Sequence, residues 1–131
     1  MSPYVWLTDG GIYAMLVRAV PRPGETGDTG TIWYATSTDG LSFTATDMPV
    51  LSPGPGPDDI GGCEDPTVFV KPDGSYLVYY TGVDAAHTQG AMILVAGPTL
   101  ESLEEKQLML KAPPGEGNIK EATLVQTAAG D

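Results

Sequence analysis

The sequence contains two copies of one pattern, and this repeat limits the folds that the chain can adopt. Each copy has four short runs rich in Val, Ile, Tyr, Leu and Thr, with turn residues between the runs. The first copy starts at Pro3-Tyr4-Val5-Trp6 and the second at Pro66-Thr67-Val68-Phe69. A third copy opens at Glu121-Ala122-Thr123-Leu124, and only its first run is present. The chain is therefore predicted to contain two complete structural units and the beginning of another.

Turn residues indicate that the runs are β-strands. Asp-Gly follows an apolar run at Asp9-Gly10, Asp39-Gly40 and Asp73-Gly74, and this dipeptide is a strong signal for a tight hairpin. Four-stranded antiparallel units that repeat around an axis are typical of β-propellers. The fold is therefore predicted to be all-β, with two four-stranded antiparallel propeller blades and the first strand of a third.

The repeat also predicts boundaries for each unit. Blade one is assigned to 3–51, the connection between blades to 52–63, blade two to 64–112, and the start of blade three to 119–131. The fourth strands are predicted at 48–51 and 108–111. The stretch 99–107 contains Glu and Leu at spacings that resemble a helix. We predict a loop or short turn there, because it leads into a fourth strand.

The net charge of the chain and the short length of its apolar runs exclude several classes of partner. The chain has 17 acidic and 6 basic residues, for a net charge of −11. Such a surface repels phosphate backbones and anionic lipids, so neither a nucleic acid nor a membrane is predicted as a partner. No apolar run approaches the ~20 residues of a membrane-spanning helix. The acidity is compatible with a neutral ligand.

The residues that usually hold cofactors are scarce. Cys63 is the single cysteine and His87 the single histidine, so neither an intrachain disulfide nor a histidine-rich metal site is predicted. The sequence contains no phosphate-binding glycine loop, zinc-ligand spacing or serine elbow. We predict no metal and no cofactor. The first residues lead directly into strand-like sequence without the pattern of a signal peptide, and the compartment stays open.

The densest group of candidate site residues is Gly61-Gly62-Cys63-Glu64-Asp65-Pro66, where two acids directly precede a strand. Side chains alternate along an extended backbone, so Glu64 and Asp65 are predicted to point in different directions. One should face the centre of the propeller while the other braces a neighbour or meets solvent. We favour Asp65 for the centre.

These residues resemble a known superfamily. An Asp-Pro at the start of an innermost strand, then Asp-Gly-x-Tyr at 73–76 and Tyr-Tyr-Thr at 79–81, is similar to the five-bladed glycosidase propellers. That group contains arabinanases, xylosidases, invertase-like fructosidases and mannoside phosphorylases. The segment 63–68 resembles the phosphorylases' Glu-Asp-Pro-Arg, with Thr67 in place of the arginine. The resemblance covers essentially the whole chain.

The resemblance implies roles for particular residues. In the arabinanase and fructosidase arrangement, Asp65 would stabilise and Glu121 would be the general acid. In the phosphorylase arrangement, Asp65 itself would be the proton donor. Glycosidic cleavage needs one carboxyl group to protonate the leaving oxygen and a second group to attack or to activate water. The remaining candidates are the predicted substrate-binding residues Glu64, Tyr80, Asp84 and Lys120.

Three functions stay open at this point. The first is the N-terminal part of a glycoside hydrolase or glycoside phosphorylase, inactive by itself, because Ser2 stands where blade one would supply a carboxylate. The second is a propeller that binds carbohydrate without catalysis. The third is a half-propeller that self-associates through its open blade edges. A structural alternative also applies to the acids themselves, since Glu121 beside Lys120 could simply form an ion pair.

Overall fold

Eight β-strands and a short 3-10 helix form the computed structural model, which describes residues 3–22 and 29–125. The first sheet consists of β1 (Tyr4–Leu7), β2 (Tyr13–Ala19), β3 (Thr31–Ser37) and β4 (Thr44–Ala45). The second consists of β5 (Gly62–Val70), β6 (Tyr76–Val83), β7 (Gly90–Gly97) and β8 (Glu104–Lys111). Each sheet is an antiparallel meander in chain order. The all-β fold with two four-stranded blades is confirmed, and we call the sheets blade one and blade two.

The predicted Asp-Gly turns join the first two strands of each blade. Gly11 has φ 74° in the turn between β1 and β2, and Gly74 has φ 83° in the turn between β5 and β6. Glycine adopts this left-handed backbone without the clash that a Cβ atom causes. In the second turn the Lys71 amide also donates to the Ser75 carbonyl at 2.8 Å. Local turn chemistry therefore sets both hairpins.

The third Asp-Gly turn follows β3 and is organised by the Asp39 side chain. Asp39 Oδ1 accepts hydrogen bonds from the amides of Ser42 and Leu41, both at 2.9 Å, and from Ser37 Oγ at 2.7 Å. These donors favour the charged carboxylate, led by the Ser42 and Leu41 amides, and lower the pKa of Asp39 to about 2. The ionised form therefore stabilises the turn.

Replacing Asp39 by asparagine is expected to destabilise the protein at neutral pH. A carboxyl group with a lowered pKa in the folded state contributes stability above its ordinary pKa of 3.8, and loses it as the pH falls towards about 2. Thermal unfolding of Asp39→Asn and of the natural sequence, measured from neutral to acidic pH, checks this. The two midpoints should converge in that acidic window, and a constant difference would contradict the prediction.

The fourth strand of blade one differs from the prediction. The segment 48–51 was expected to form it, but β4 is only Thr44–Ala45. Residues 48–51 are attached to β3 by one isolated bridge, in which Ile32 and Leu51 exchange backbone hydrogen bonds of 2.9 and 3.2 Å. Pro49 has no amide hydrogen and cannot donate to β3, which disfavours continuous pairing through this segment.

Two strands of blade two begin earlier than predicted. The 3-10 helix Leu100–Ser102 agrees with the predicted short turn, but β8, predicted at 108–111, already begins at Glu104, inside the predicted loop. All eight residues of β8 are exposed, so the strand lacks the apolar alternation that would have revealed its start. At the other edge of the sheet, β5 begins at Gly62. Residues 119–125 form no strand and 126–131 lie outside the described residues, so the first strand of a third blade stays a prediction.

The hydrophobic core lies between the two blades. Leu16 and Ile32 of blade one pack with Val78, Tyr80 and Ile93 of blade two, all of them buried. Around this core the Trp6 ring lies 6.0 Å from the ring of Tyr4 and 6.3 Å from that of Tyr34, measured between centroids. The two sheets therefore stack face to face, which is how propeller blades pack.

Candidate functional site

The candidate site lies at the end of the two blades where β1 and β5 begin. Antiparallel pairing brings the ends of β2 and β6 to the same place. The segment that leaves β6 meets the residues that follow β8 there, as the hydrogen bond of 3.0 Å from Gln89 Nε2 to the Ala112 carbonyl shows. From blade one, the Gly30 carbonyl accepts a hydrogen bond of 2.8 Å from the Cys63 amide, directly before the predicted carboxylates.

Glu64 is held by two cations. Its Oε1 lies 2.7 Å from Arg18 Nη2, and its Oε2 lies 2.6 Å from Lys120 Nζ. Arg18 belongs to β2 of blade one, and Lys120 to the segment that follows blade two. The side chain of Glu64 is only 13% exposed, so these charges are partly shielded from water. Glu64 therefore braces three parts of the chain, the role expected of one of the two adjacent acids.

Asp65 lies in a β-bulge. Glu64 is opposite Thr81 and Thr67 is opposite Tyr79, so Asp65 and Pro66 together face a single residue of β6. The backbone of Asp65 has φ 45°, a left-handed conformation that costs a residue with a Cβ atom about 1–2 kcal/mol. Within the described residues no hydrogen bond or ion pair occupies its carboxylate, which is partly exposed. The bulge interrupts the regular alternation that the sequence argument assumed.

Glu121 shares the unusual backbone of Asp65. Its φ is 59°, and the repeat places it at the position in copy three that Asp65 has in copy two. Its amide donates a hydrogen bond of 3.4 Å to Thr81 Oγ1, and Thr81 is the residue opposite Glu64. The structure therefore brings Glu64, Lys120 and Glu121 together. Strained non-glycine residues often occur at functional sites.

The prediction that Tyr80 contacts a sugar is corrected by the structure. Its side chain is 0% exposed, and its hydroxyl donates to Asp59 Oδ2 at 2.8 Å. Burial, followed by the nearby Cys63, raises the pKa of this hydroxyl. Tyr79, which lies on the opposite face of β6, is half-buried. Of the two adjacent tyrosines, the second one in the chain belongs to the core.

The Asp84 carboxylate stabilises the loop that follows β6 by accepting hydrogen bonds from it. Its Oδ1 accepts from the amides of Thr88 at 2.7 Å and Gln89 at 3.0 Å, and its Oδ2 accepts from Thr88 Oγ1 at 3.0 Å. The Gln89 and Thr88 amides, in that order, lower the pKa of Asp84. The carboxylate thus has a structural task at the site end of blade two. A contact between Asp84 and substrate stays a prediction.

Thr67, which replaces the arginine of the phosphorylase pattern, is turned into the protein. Its side chain is 2% exposed, and its Oγ1 has no hydrogen-bond partner within the described residues. A residue buried in this way cannot reach a sugar or a phosphate. Thr67 therefore cannot make the contact that an arginine would make at this position.

Asp59 is an important residue that the sequence analysis missed. It is buried on the connection between the blades, where its Oδ2 binds Lys106 Nζ at 2.6 Å and Tyr80 hydroxyl at 2.8 Å. Its Oδ1 accepts from the Gly54 amide at 3.0 Å. Lys106 also donates to the carbonyl of Ser52 at 2.6 Å. These contacts anchor the Pro/Gly-rich connection on blade two, directly before Glu64 and Asp65.

Cys63 lies beside this cluster, with its Sγ 3.8 Å from Asp59 Oδ2. Burial, and then the charge of Asp59, raises the pKa of the Cys63 thiol to about 12. The thiolate is the reactive form of cysteine, so a thiol with this environment is unreactive near neutral pH. The position suits a small buried side chain.

Cys63 is expected to resist thiol reagents until the protein unfolds. Labelling with an aromatic disulfide reagent at mildly alkaline pH should be slow in native buffer and become fast across the urea transition. A Cys63→Ala variant that also carries Ala86→Cys, in the exposed loop after β6, supplies the control and should label rapidly in native buffer. Equal rates for the two native proteins would contradict the buried position of Cys63.

A metal-binding cluster and a membrane-spanning helix are both absent from the part of the chain that the structure describes. Among residues 3–22 and 29–125, no three His, Cys, Asp or Glu side chains form a group able to hold a metal ion. In the same part of the chain, no helix is long and apolar enough to cross a membrane.

Comparisons with known proteins agree on the kind of fold. No family model matches the chain. A 1,2-β-oligomannan phosphorylase from Thermoanaerobacter sp. (strain X514) is 30% identical over 115 residues, which are 85% of this chain and 38% of the relative. A glycosyl hydrolase structure from Bacteroides ovatus has a TM-score of 0.66 and 31% identity, and the match covers 79% of this chain and 30% of that one.

A third match is a solved structure described under the GH130 family of mannoside phosphorylases. That family is described as containing glycoside hydrolases that target β-1,2 mannosidic linkages in Candida mannan. The match has a TM-score of 0.67 and 29% identity, and covers 81% of this chain and 30% of the solved one. The chain thus spans only 30–38% of the length of these three relatives. The resemblance to the propeller superfamily of glycosidases and glycoside phosphorylases is confirmed. Within it, the mannoside phosphorylases and their hydrolase relatives are among the proteins that the chain resembles.

Proposed function

We propose that this chain forms part of the active-site wall of a propeller enzyme that cleaves β-1,2-mannosidic bonds. The observation that carries the proposal is the state of Asp65. Its carboxylate is partly exposed and has no partner in the described residues, and it lies on a bulge at the start of an innermost strand. The relatives that act on 1,2-linked mannans support the choice of substrate.

Asp65 is the proposed proton donor. Cleavage of a glycosidic bond needs a carboxyl group that protonates the leaving oxygen while a second group delivers the nucleophile. Both carboxylate oxygens of Glu64 are already occupied, by Arg18 and by Lys120. Its task is to fix the bulge that presents Asp65. Glu121, with the same backbone conformation, is the proposed second carboxyl group.

Water and phosphate are the two possible acceptors. The curated relative is a phosphorylase, while other matched structures are described as hydrolases. The test incubates the full natural protein with β-1,2-mannobiose, with and without inorganic phosphate. Mannose 1-phosphate formed only with phosphate indicates phosphorolysis, and two mannose molecules per cleavage in either buffer indicate hydrolysis. No cleavage of this or of longer β-1,2-mannans would reject the proposal.

A propeller that binds carbohydrate without cleaving it is the second candidate. The observation in its favour is Ser2, which stands in copy one where Asp65 and Glu121 stand in copies two and three. Ser2 lies outside the described residues. Titration calorimetry with β-1,2-mannobiose separates the two functions, because a binding protein gives saturable heat without any product.

A further inference from the structure

The chain leaves blade two after β8 and returns to it at 119–121. Residues 113–118, between these two points, are exposed and form no strand. At the return point Ile119 is half-buried. Lys120 and Glu121 then contact blade two, through Glu64 and Thr81 respectively. The position of Glu121, the second proposed carboxyl group, therefore depends on how this short segment is held against blade two.

Gly90, the first residue of β7, provides the space for the segment. A Cβ atom at Gly90 would lie 2.7 Å from the Ile119 carbonyl oxygen, which is closer than a Cβ atom approaches another heavy atom in folded proteins. It would also lie 3.3 Å from Asn118 Oδ1. The φ angle of Gly90 is not positive, so its backbone does not favour glycine. Glycine is needed here because two backbone segments approach each other closely.

Thr81, on the neighbouring strand β6, holds the segment by a hydrogen bond. Its side chain is 0% exposed, and its Oγ1 accepts a hydrogen bond of 3.4 Å from the Glu121 amide. The Thr81 methyl carbon Cγ2 lies 3.3 Å from the position that a Cβ atom of Gly90 would occupy. Gly90 and Thr81 are therefore adjacent, and we call this pair the seat of the segment 119–121.

The seat also determines where Lys120 lies. Its neighbours in the chain are Ile119, whose carbonyl lies against Gly90, and Glu121, whose amide is bonded to Thr81. Between these two contacts, Lys120 Nζ lies 2.6 Å from Glu64 Oε2. A displacement of the segment would therefore move the Glu121 carboxylate and disturb the ion pair beside Asp65.

We propose that Gly90 and Thr81 are positioning residues, which fix the carboxyl group of Glu121 relative to that of Asp65. This inference rests on the proposed function, in which those two groups cleave the glycosidic bond. The separation of the two carboxyl groups determines how the second group acts in such a cleavage. A misplacement of about 1 Å can lower the rate about a hundredfold, so a small movement of the segment has a large effect.

The first test replaces Gly90 by alanine in the full natural protein. The added Cβ atom meets a backbone carbonyl, which cannot turn away as a flexible side chain can, so the segment must move outward. We expect kcat for β-1,2-mannobiose to fall by about 10–100-fold with little change in KM, because the displaced carboxyl group acts in the reaction step.

Gly117→Ala is the matched control. It makes the same chemical change just before the segment, at a residue whose φ is not positive. Apart from its chain neighbours, no described atom lies within 4 Å of the position of the added Cβ atom. This variant should keep the kcat of the natural sequence.

Hydrogen–deuterium exchange gives a measurement that does not depend on activity. The peptide that contains 118–121 should exchange faster in Gly90→Ala than in the natural sequence or in Gly117→Ala, because the Glu121 amide loses its acceptor on Thr81. Peptides from β2 and β3 should exchange at unchanged rates, which separates a displaced segment from a general loss of stability. Unchanged exchange of the segment in a folded Gly90→Ala variant would overturn the proposal.

Replacements of Thr81 test the seat without added volume, and they also carry the test if Gly90→Ala does not fold. Thr81→Val keeps the shape of the side chain and removes the acceptor, so kcat should fall by about 2–10-fold, the contribution of one hydrogen bond. Thr81→Ser keeps the hydroxyl group and should retain more of the activity. Equal kcat values for Thr81→Val and the natural sequence would remove Thr81 from the seat.

The outcomes separate this inference from the proposed function. If the natural protein cleaves no β-1,2-mannan, the proposed function fails, and the exchange rates still decide whether Gly90 and Thr81 hold the segment. If the natural protein is active and a folded Gly90→Ala variant keeps the natural kcat, the positioning role is rejected while the proposed function stands.

Discussion

The proposed role of Asp65 as proton donor predicts that its replacement by asparagine lowers the turnover of β-1,2-mannobiose by the full natural protein by about 10²–10⁴-fold, the usual contribution of a positioned general acid. Asparagine cannot donate the proton to the leaving oxygen. It does tolerate the left-handed backbone, which is adopted at Asp65 with φ 45°. The thermal unfolding midpoint should therefore change little, and the loss should appear in kcat more than in KM.

Asp73→Asn is the matched control for this experiment. It makes the same chemical change in the turn at the far end of β5, where Asp73 Oδ1 accepts from the amide and the hydroxyl of Ser75 at 2.9 and 2.6 Å. Turnover should stay close to that of the natural sequence. Unchanged turnover in Asp65→Asn would remove Asp65 from the mechanism, while binding of substrate by that variant would still support a carbohydrate site.

Replacement of Asp59 by alanine is expected to reduce the free energy of unfolding by about 3–5 kcal/mol, the range for removing one partner of a buried ion pair. The change leaves the buried Tyr80 hydroxyl and the Gly54 amide without an acceptor. The Lys106 side chain is 26% exposed and can turn towards water, so we expect the lower part of the range. Urea unfolding of the 131-residue chain measures the effect.

The adjacent residue provides the control for Asp59. Asp58 is also paired with a lysine, since its Oδ1 lies 2.6 Å from Lys111 Nζ, but these two side chains are 21% and 40% exposed. An ion pair in contact with water contributes at most about 1 kcal/mol, so Asp58→Ala should have a small effect. Similar losses for the two alanine variants would contradict the anchoring role of Asp59.

Structural features that depend only on residues close together in the sequence were predictable. The Asp-Gly turns and the first three strands of each blade follow from local turn chemistry and apolar runs. The extents of the outermost strands were not predictable. The predicted strand 108–111 covers only half of β8, which is exposed at every residue, and β4 has only two residues. A strand that buries neither face has no periodic signal, and its position is set by the hydrogen bonds it makes to β7 or β3.

The candidate site was predictable only in part, for the same reason. Glu64 and Asp65 are adjacent and directly precede a strand, so a short motif reveals them. Asp59 was not predicted as a site residue, because its main partner, Lys106, is 47 residues further along the chain. The choice between Tyr79 and Tyr80 could not be made from alternation alone. It needed the position of Asp59, whose carboxylate draws the Tyr80 hydroxyl into the core.

The left-handed backbone at Asp65 and Glu121 determines how selection for thermal stability would act on these two positions. A glycine at either position would relieve about 1–2 kcal/mol of conformational strain. Heat selection of random variants would therefore enrich these replacements early, because it rewards stability alone. A screen for a heat-resistant form should therefore also score the proposed cleavage of β-1,2-mannosidic bonds, because selection for stability alone would replace the two carboxylates.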